Sequence, residues 1–190
     1  MTSLCVFCGS SPGNHPRYLE TARELGALLA QRDITLVYGG GRVGLMGALA
    51  DSALVAGGKV VGVIPQLLLD REAGHRGLSE LHVVNTMAER KQLMGDLADA
   101  FLTLPGGIGT MDELFEAWTW TQLGIQEKPS GLLNQNGYYD ALLAFLDTCE
   151  SEGFLRPRYR SVLIVENQLE PLIDRLTGLK SAQNASYPQA

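Results

Sequence analysis

The stretch that decides the fold is residues 100–113, which read AFLTLPGGIGTMDE. Ala100–Leu104 is a short apolar run typical of a strand, and Pro105–Thr110 is rich in glycine. From Met111 to Leu123, apolar residues recur with the period of a helix. A strand that leads into a helix through a glycine-rich turn is typical of the βα units of a parallel sheet.

The same alternation runs through the rest of the chain. The spacing predicts six further strands, at Leu4–Cys8, Ile34–Tyr38, Val60–Ile64, His82–Val84, Gly131–Leu133 and Val162–Val165. It also predicts five further helices, at Glu20–Gln31, Leu45–Ala56, Met87–Ala98, Tyr138–Glu152 and Leu169–Leu179. We therefore predict a single α/β domain over residues 1–180, a doubly wound, mainly parallel sheet flanked by helices. Residues 181–190 are expected to form a flexible tail, and the connection from Pro65 to Leu81 a functional loop.

Composition excludes several classes of protein. Of the 190 residues, 45% are hydrophobic and 19% charged, which disfavours disorder and a coiled coil. The net charge of −6 has the wrong sign for a protein that tracks a nucleic-acid backbone. Because the first residues lack a basic start and no apolar run reaches about 18 residues, we expect a cytoplasmic protein without a membrane segment.

The segment Gly39–Gly44 fits the pattern G-x-G-x-x-G between a predicted strand and a predicted helix. In dinucleotide-binding proteins an acidic residue follows about 20 residues later, but Ile64 and Pro65 occupy that place here. Three interpretations stay open for this segment: NAD binding, a tight turn that allows close packing, and contact of backbone amides with a phosphate or nucleotide.

Pro105–Thr110 opens a predicted helix, whose free N–H groups could hold a phosphate. No lysine follows Thr110, so the segment is not a Walker A loop. The alternative is a plain turn capped by Thr110, with Thr110-x-x-Glu113 as a capping box. If Glu113 instead reaches a bound phosphosugar, it could stabilise positive charge at the anomeric carbon or activate a water.

Arg90 is out of place for an ordinary surface arginine. It lies in the first turn of a helix that Thr86-x-x-Glu89 opens as a capping box, and it shares a face with apolar residues. The helix macrodipole disfavours a cation there. Arg90 therefore either extends over the edge of the core or points into a crevice that holds an anion. Lys91 beside it could equally be a solvated surface lysine.

Cysteine and histidine indicate neither a redox centre nor a metal site. Cys5 and Cys8 lie three residues apart on one strand, hence on opposite faces, and are predicted to be buried thiols. Three scattered histidines form no metal-binding pattern, so we expect no metal and no cofactor.

Three motifs follow one another along the chain: Gly39-Gly40-Gly41-x-x-Gly44-Leu45-Met46-Gly47, Met87-x-x-Arg90-Lys91 and Pro105-Gly106-Gly107-x-Gly109-Thr110-x-x-Glu113. Together they resemble the Lonely Guy (LOG) family of cytokinin riboside 5′-monophosphate phosphoribohydrolases, often mislabelled lysine decarboxylases. The resemblance runs from Leu4 to Leu179. It implies a Rossmann-like fold and a homodimer with its sites near the interface. The implied reaction is hydrolysis of the N-glycosidic bond of AMP or N6-substituted AMP to the free base and ribose 5-phosphate.

The resemblance also implies roles for individual residues. Arg90 and Glu113 are the expected catalytic pair. The expected substrate contacts are Ser10, Gly40, Gly41, Glu72, Lys91, Gly106, Gly107, Ile108, Gly109, Thr110 and Thr119. Ile108 stands where several relatives carry an aromatic residue, and Asp112 replaces a frequent glutamate. Trp118, Trp120 and Leu123 are predicted to lie at the interface.

Three other functions are weighed against this one. The main alternative is a non-catalytic module of the same fold that binds a nucleotide or the molybdenum cofactor, because a fold alone does not determine function. An NAD-dependent oxidoreductase is disfavoured by the missing acidic residue, and a decarboxylase would need a lysine Schiff base to pyridoxal phosphate. The choice between AMP and N6-isopentenyl-AMP depends on apolar room that residue spacing does not reveal.

Overall fold

The short apolar runs of the sequence form one seven-stranded sheet in the computed structural model of the protein. Its strands are β1 Ser3–Phe7, β2 Thr35–Tyr38, β3 Val60–Pro65, β4 Glu80–Val84, β5 Ala100–Thr103, β6 Ser130–Leu133 and β7 Leu163–Glu166. The order is β4-β3-β2-β1-β5-β6-β7, and every pair is parallel. This confirms the predicted doubly wound α/β fold. The structure describes the backbone of residues 1–72 and 74–186 and the side chains of residues 1–70 and 74–179.

Helices cover both faces of the sheet. They are α1 Pro16–Gln31, α2 Gly44–Val55, α3 Gln66–Glu72, α4 Met87–Asp96, α5 Ile108–Gln122, α6 Asp140–Ser151, α7 Pro157–Arg160 and α8 Leu169–Ser186. Apolar residues of α1, α2 and α8 bury one face of the sheet. Those of α4, α5 and α6 bury the other. Cys5 and Cys8 are both buried, each in the core on a different face, as predicted.

Several predicted helix limits were wrong. α1 begins at Pro16 rather than Glu20, because proline suits the first helical position and the His15 imidazole accepts a bond from the Arg17 N–H at 3.4 Å. The connection after Pro65, expected to be a loop, contains α3, and the short α7 was not predicted. α8 continues past Leu179 to Ser186, so helix extends into the segment expected to be a tail. Residues 187–190 lie outside the described residues.

The strand order reverses direction between β1 and β5. β1 pairs with β2 on one side and with β5 on the other, and the chain winds outward from there in both directions. In open parallel sheets, ligands bind beyond the carboxyl ends of the strands at such a switch point. Separately, within the described residues no helix is long and apolar enough to cross a membrane.

Candidate active site

A cavity of about 440 Å³ opens beyond the carboxyl ends of β1 and β5. The segments that follow these strands meet there, with the Gly9 N–H donating to the Pro105 carbonyl at 3.2 Å. The start of α2 joins them, because the Leu45 N–H donates to the Gly9 carbonyl at 3.1 Å. Gly44, at φ +59°, packs so closely on Ser10 that a Cβ there would collide with the Ser10 carbonyl.

The glycine-rich segment Pro105–Thr110 forms one wall of this cavity. α5 begins at Ile108 with Gly107 as its N-cap, so the predicted start at Met111 was wrong. The alternative in which Thr110 caps the helix does not hold either. The buried Thr110 side chain instead packs against Gly106, where a Cβ would collide with its hydroxyl. Gly107 has no side chain with which to cap the helix, and the first N–H groups of α5 have no partner within the helix. They are available to an anion in the cavity.

Arg90 is a buried cation, 6% exposed, and does not extend over the surface. The Thr86 hydroxyl caps its helix, as predicted, by accepting from the Glu89 N–H at 3.1 Å. The Arg90 guanidinium donates through Nε to the Val63 carbonyl at 3.1 Å and through Nη2 to the Gly39 carbonyl at 2.8 Å. These two bonds fix the plane of the guanidinium, which lines the cavity. A Cβ at residue 39 would collide with it, which explains the glycine there.

Glu113 faces Arg90 across the base of the cavity. Its Oε1 lies 3.8 Å from Arg90 Nη1, and its side chain is 10% exposed. Burial raises the pKa of Glu113 to about 7, even though the positive charge of Arg90 lowers it. Asp112 and Glu116 raise this pKa further, and Lys91 lowers it. A carboxyl group with a pKa near neutrality can exchange a proton at working pH, as acid–base catalysis requires.

Most of the predicted site residues meet at this cavity. Its lining includes the predicted residues Ser10, Arg90, Gly106, Gly107, Ile108, Gly109, Thr110 and Glu113. Ile108, at the position where several relatives carry an aromatic residue, is 92% exposed. It presents an aliphatic rather than an aromatic side chain to whatever enters the cavity.

Other predicted contacts lie away from it. Lys91 Nζ forms ion pairs with Asp112 at 3.0 Å and Glu116 at 2.6 Å. Burial lowers the pKa of Lys91, but its bonds to these two carboxylates more than offset this and raise it. Thr119 is exposed on α5. Lys91 and Thr119 are absent from the described lining of the cavity, so their contacts with substrate stay predictions.

Two further predicted contacts, Gly40 and Gly41, lie after the end of β2. Gly40 has φ +73° and lies against β3, and Gly41 pairs with Gly74 in an isolated antiparallel bridge. Neither residue is among the described residues that line the cavity, so their contact with substrate also stays a prediction. The side chain of Glu72 lies outside the described residues.

Sequence reasoning missed several residues of the cavity. Tyr18 and Tyr138 line it, and their rings meet edge to face with centroids 5.7 Å apart. Met46, Leu68 and Cys8 add apolar surface. Burial raises the pKa of the Cys8 thiol far above its ordinary value, so Cys8 is not an activated nucleophile. These residues come from separate elements, and nothing in their local spacing distinguishes them from core residues.

The described residues offer little for a metal ion, since no group of three or more His, Cys, Asp or Glu among them is placed to hold one. Among the described residues that line the cavity, the charged groups are instead those of Arg90 and Glu113. This arrangement suits stabilisation of charge on a bound organic molecule.

Comparison with known structures supports the fold. A molybdenum cofactor carrier protein from Chlamydomonas reinhardtii superimposes with a TM-score of 0.71 over 94% of this chain and 98% of its own, at 19% identity. The molybdenum cofactor binding protein of Rippkaea orientalis gives a TM-score of 0.67 over 93% and 94%, also at 19% identity. Identities this low indicate a shared fold and leave function open.

Comparison with curated proteins gives much closer relatives. Cytokinin riboside 5′-monophosphate phosphoribohydrolase of Rhodococcoides fascians is 50% identical over 90% of this chain and 87% of its own. The enzyme LOG1 of Arabidopsis thaliana, which carries the same name, is 46% identical over 91% and 81%. A family model described as possible lysine decarboxylase matches residues 46–176. Since that model matches more than half of the chain and these relatives align along nearly all of it, the protein belongs to the LOG family of cytokinin riboside 5′-monophosphate phosphoribohydrolases.

Proposed function

We propose that this protein hydrolyses the N-glycosidic bond of AMP or of an N6-substituted AMP and releases the free base and ribose 5-phosphate. The observation that carries the proposal is the buried pair of Arg90 and Glu113, 3.8 Å apart, beside the uncapped start of α5. The relatives named for this reaction, at 46% and 50% identity, support it. The molybdenum cofactor proteins share only the fold, so they favour the carrier alternative much less.

In this proposal the 5′-phosphate binds to the backbone N–H groups at the start of α5. Those groups have no partner within the helix, and the helix dipole favours an anion there. The volume of about 440 Å³ lies within the range of small-molecule sites, about 300–1,000 Å³. A nucleotide held by its phosphate at Gly106–Thr110 would bring its ribose toward Glu113, one turn further along the same helix.

Hydrolysis breaks the bond between C1′ of the ribose and the base nitrogen. The bonding electrons leave with the base, which gains a proton, and the oxygen of one water bonds to C1′. Positive charge develops on the sugar during this step. The Glu113 carboxylate stabilises that charge and orients or deprotonates the water. Arg90, held by two carbonyls, either contacts the phosphate or assists charge development, and its positive charge lowers the pKa of Glu113, which burial raises.

We further propose a homodimer with its sites near the subunit interface. Lys91 and Thr119, expected to contact substrate, lie outside the described cavity lining of one chain, which suits a site completed by a second subunit. Leu123, 65% exposed at the end of α5, offers apolar surface for such contact. Trp118 does not, since it is buried and donates to the Tyr159 carbonyl at 3.0 Å, so its predicted interface role was wrong. Light scattering during size-exclusion chromatography tests the oligomeric state.

Product chromatography tests the reaction. The protein and its Glu113→Gln variant are incubated separately with AMP and with N6-isopentenyl-AMP. We expect the wild type to release base and ribose 5-phosphate, and the variant to be slower by at least about 10²-fold. Relative rates on the two nucleotides give the preference for the base. Nucleotide binding without release of base from a folded protein would favour the non-catalytic module instead.

A further inference from the structure

Two consecutive tyrosines, Tyr138 and Tyr139, lie after β6 and form hydrogen bonds to the segment that leads into α5. The Tyr138 hydroxyl donates to the Gly106 carbonyl at 2.8 Å, and the Tyr139 hydroxyl donates to the Leu104 carbonyl at 2.7 Å. The carbonyl between them, that of Pro105, accepts from the Gly9 N–H at 3.2 Å. Three successive carbonyls before α5 are therefore held by three separate donors.

These bonds set the direction of the amides that would meet a phosphate. The peptide unit is planar, and its C=O and the following N–H point in opposite directions. By holding the Gly106 carbonyl, Tyr138 orients the Gly107 N–H, and the bond to the Pro105 carbonyl does the same for the Gly106 N–H. Donation to a carbonyl also polarises its peptide and strengthens the bond that the opposite N–H can form.

The turn that carries the tyrosines is itself tightly bonded. It follows β6 and includes Asn136 and Gly137, both with left-handed φ, at 52° and 74°. Asn134, nearly buried, accepts from the Tyr139 N–H at 2.8 Å and donates to the Asp140 carboxylate at 2.7 Å. The tyrosine hydroxyls are therefore placed before any ligand arrives.

The two tyrosines differ in their contribution to the core. Tyr139 is 3% exposed and is part of the core between α5 and α6. Tyr138 is 41% exposed and lines the cavity. Loss of the Tyr138 hydroxyl should therefore change the site much more than the stability of the fold.

We propose that Tyr138, supported by Tyr139, is a positioning residue that presets the amides at the start of α5 for the phosphate group of the substrate. The proposal rests on the proposed function for the nature of that ligand. It predicts that loss of the Tyr138 hydroxyl lowers the affinity for ligands that carry a phosphate. The affinity for ligands that lack a phosphate should not change.

Calorimetric binding of ribose 5-phosphate and of adenosine tests this directly. For Tyr138→Phe we expect the Kd of ribose 5-phosphate to rise about 3- to 10-fold, the range for loss of one hydrogen bond. The binding of adenosine should not change. Tyr139→Phe should shift the Kd in the same direction with some loss of thermal stability, because it leaves a buried carbonyl unpaired. Tyr159→Phe is the matched control, since its hydroxyl accepts a bond from Arg158 on α7.

The outcomes separate this proposal from the proposed reaction, because binding is measured without turnover. Weaker ribose 5-phosphate binding in Tyr138→Phe supports the positioning role even if the wild type releases no base. Equal weakening of both ligands would mean a general structural role and overturn the proposal. An unchanged Kd, or no binding of ribose 5-phosphate by the wild type, would also overturn it.

Discussion

Replacement of Glu113 by glutamine should stabilise the protein above neutral pH while removing its activity. The carboxyl is buried beside Arg90, and burial raises its pKa to about 7 from an ordinary value of 4.5. In the folded state, then, ionising Glu113 is unfavourable in spite of the nearby arginine. Glutamine has the same shape and no charge to bury, so it should avoid this cost.

The magnitude follows from the two pKa values. Between pH 4.5 and about 7 the folded protein holds a proton on Glu113 that the unfolded chain has lost. The contribution of this group to the free energy of unfolding is thus fully present below pH 4.5 and is lost as the pH rises to about 7. At about 1.4 kcal/mol per pKa unit, the wild type should lose about 2.5 kcal/mol relative to Glu113→Gln between pH 5 and pH 8.

Denaturant unfolding at several pH values between 5 and 8 measures this difference. The advantage of Glu113→Gln should grow with pH and level off above pH 7. At pH 8 it should correspond to a melting temperature about 5–10 °C above that of the wild type, measured relative to the difference at pH 5. Glu20→Gln, which removes an exposed carboxylate from α1, controls for the loss of one charge. A stability difference that does not vary with pH would refute the argument that Glu113 ionises against its environment.

Three further predictions concern activity. If ionised Glu113 acts on the water, kcat/KM for AMP should rise with pH and level off above about 7; a fall over that range would make Glu113 the acid instead. Gly106→Ala should lower kcat/KM at least tenfold, because its Cβ would collide with Thr110, whereas Gly109→Ala, with nothing within 4 Å of its Cβ, should lose less in the same steady-state assay. Arg90→Lys keeps the charge but cannot reproduce the fork that holds two buried carbonyls. It should slow turnover at least tenfold and, in urea unfolding, reduce the free energy of unfolding by about 1–3 kcal/mol; unfolding indistinguishable from the wild type would contradict the role of those two bonds.

Strand positions and sheet class were predictable from local pattern, but several helix ends were not. Each strand is marked by a short apolar run of strand-forming residues, and these runs alternate clearly with segments of helical period. α3 escaped prediction because Gln66–Glu72 is only seven residues long and its three leucines are consecutive, so they show no helical spacing. α5 begins at Ile108 because backbone geometry at Gly107 starts the helix, although Thr110 looked like the better cap.

A residue of the candidate site could be predicted where its type was unusual for its position in its helix or strand. Arg90 was unusual in its place in the helix and in the face it occupies, which left two interpretations open. It is buried at the cavity, so the interpretation in which it extends over the edge of the core does not hold. The opposing capping interpretation of Glu113 failed because the helix starts earlier than its pattern suggested. Tyr138 and the Gly39 carbonyl gave no signal, because their roles depend on contacts across the sheet between segments 32 and 51 residues apart.

The guanidinium of Arg90 links α4 by hydrogen bonds to β3 and to the residue after β2. It therefore stabilises the fold in addition to placing a positive charge at the cavity. Burial raises the pKa of Glu113, so its ionised form is expected to weaken the fold. Because of these opposite effects, substitutions of the two residues should be retained to different extents once selection for the reaction is relaxed. A descendant that no longer needs catalysis would gain stability by losing the glutamate and lose stability by losing the arginine. If Glu113 catalyses the reaction as proposed, retention of the glutamate should therefore be a better indicator of activity in relatives than retention of the arginine.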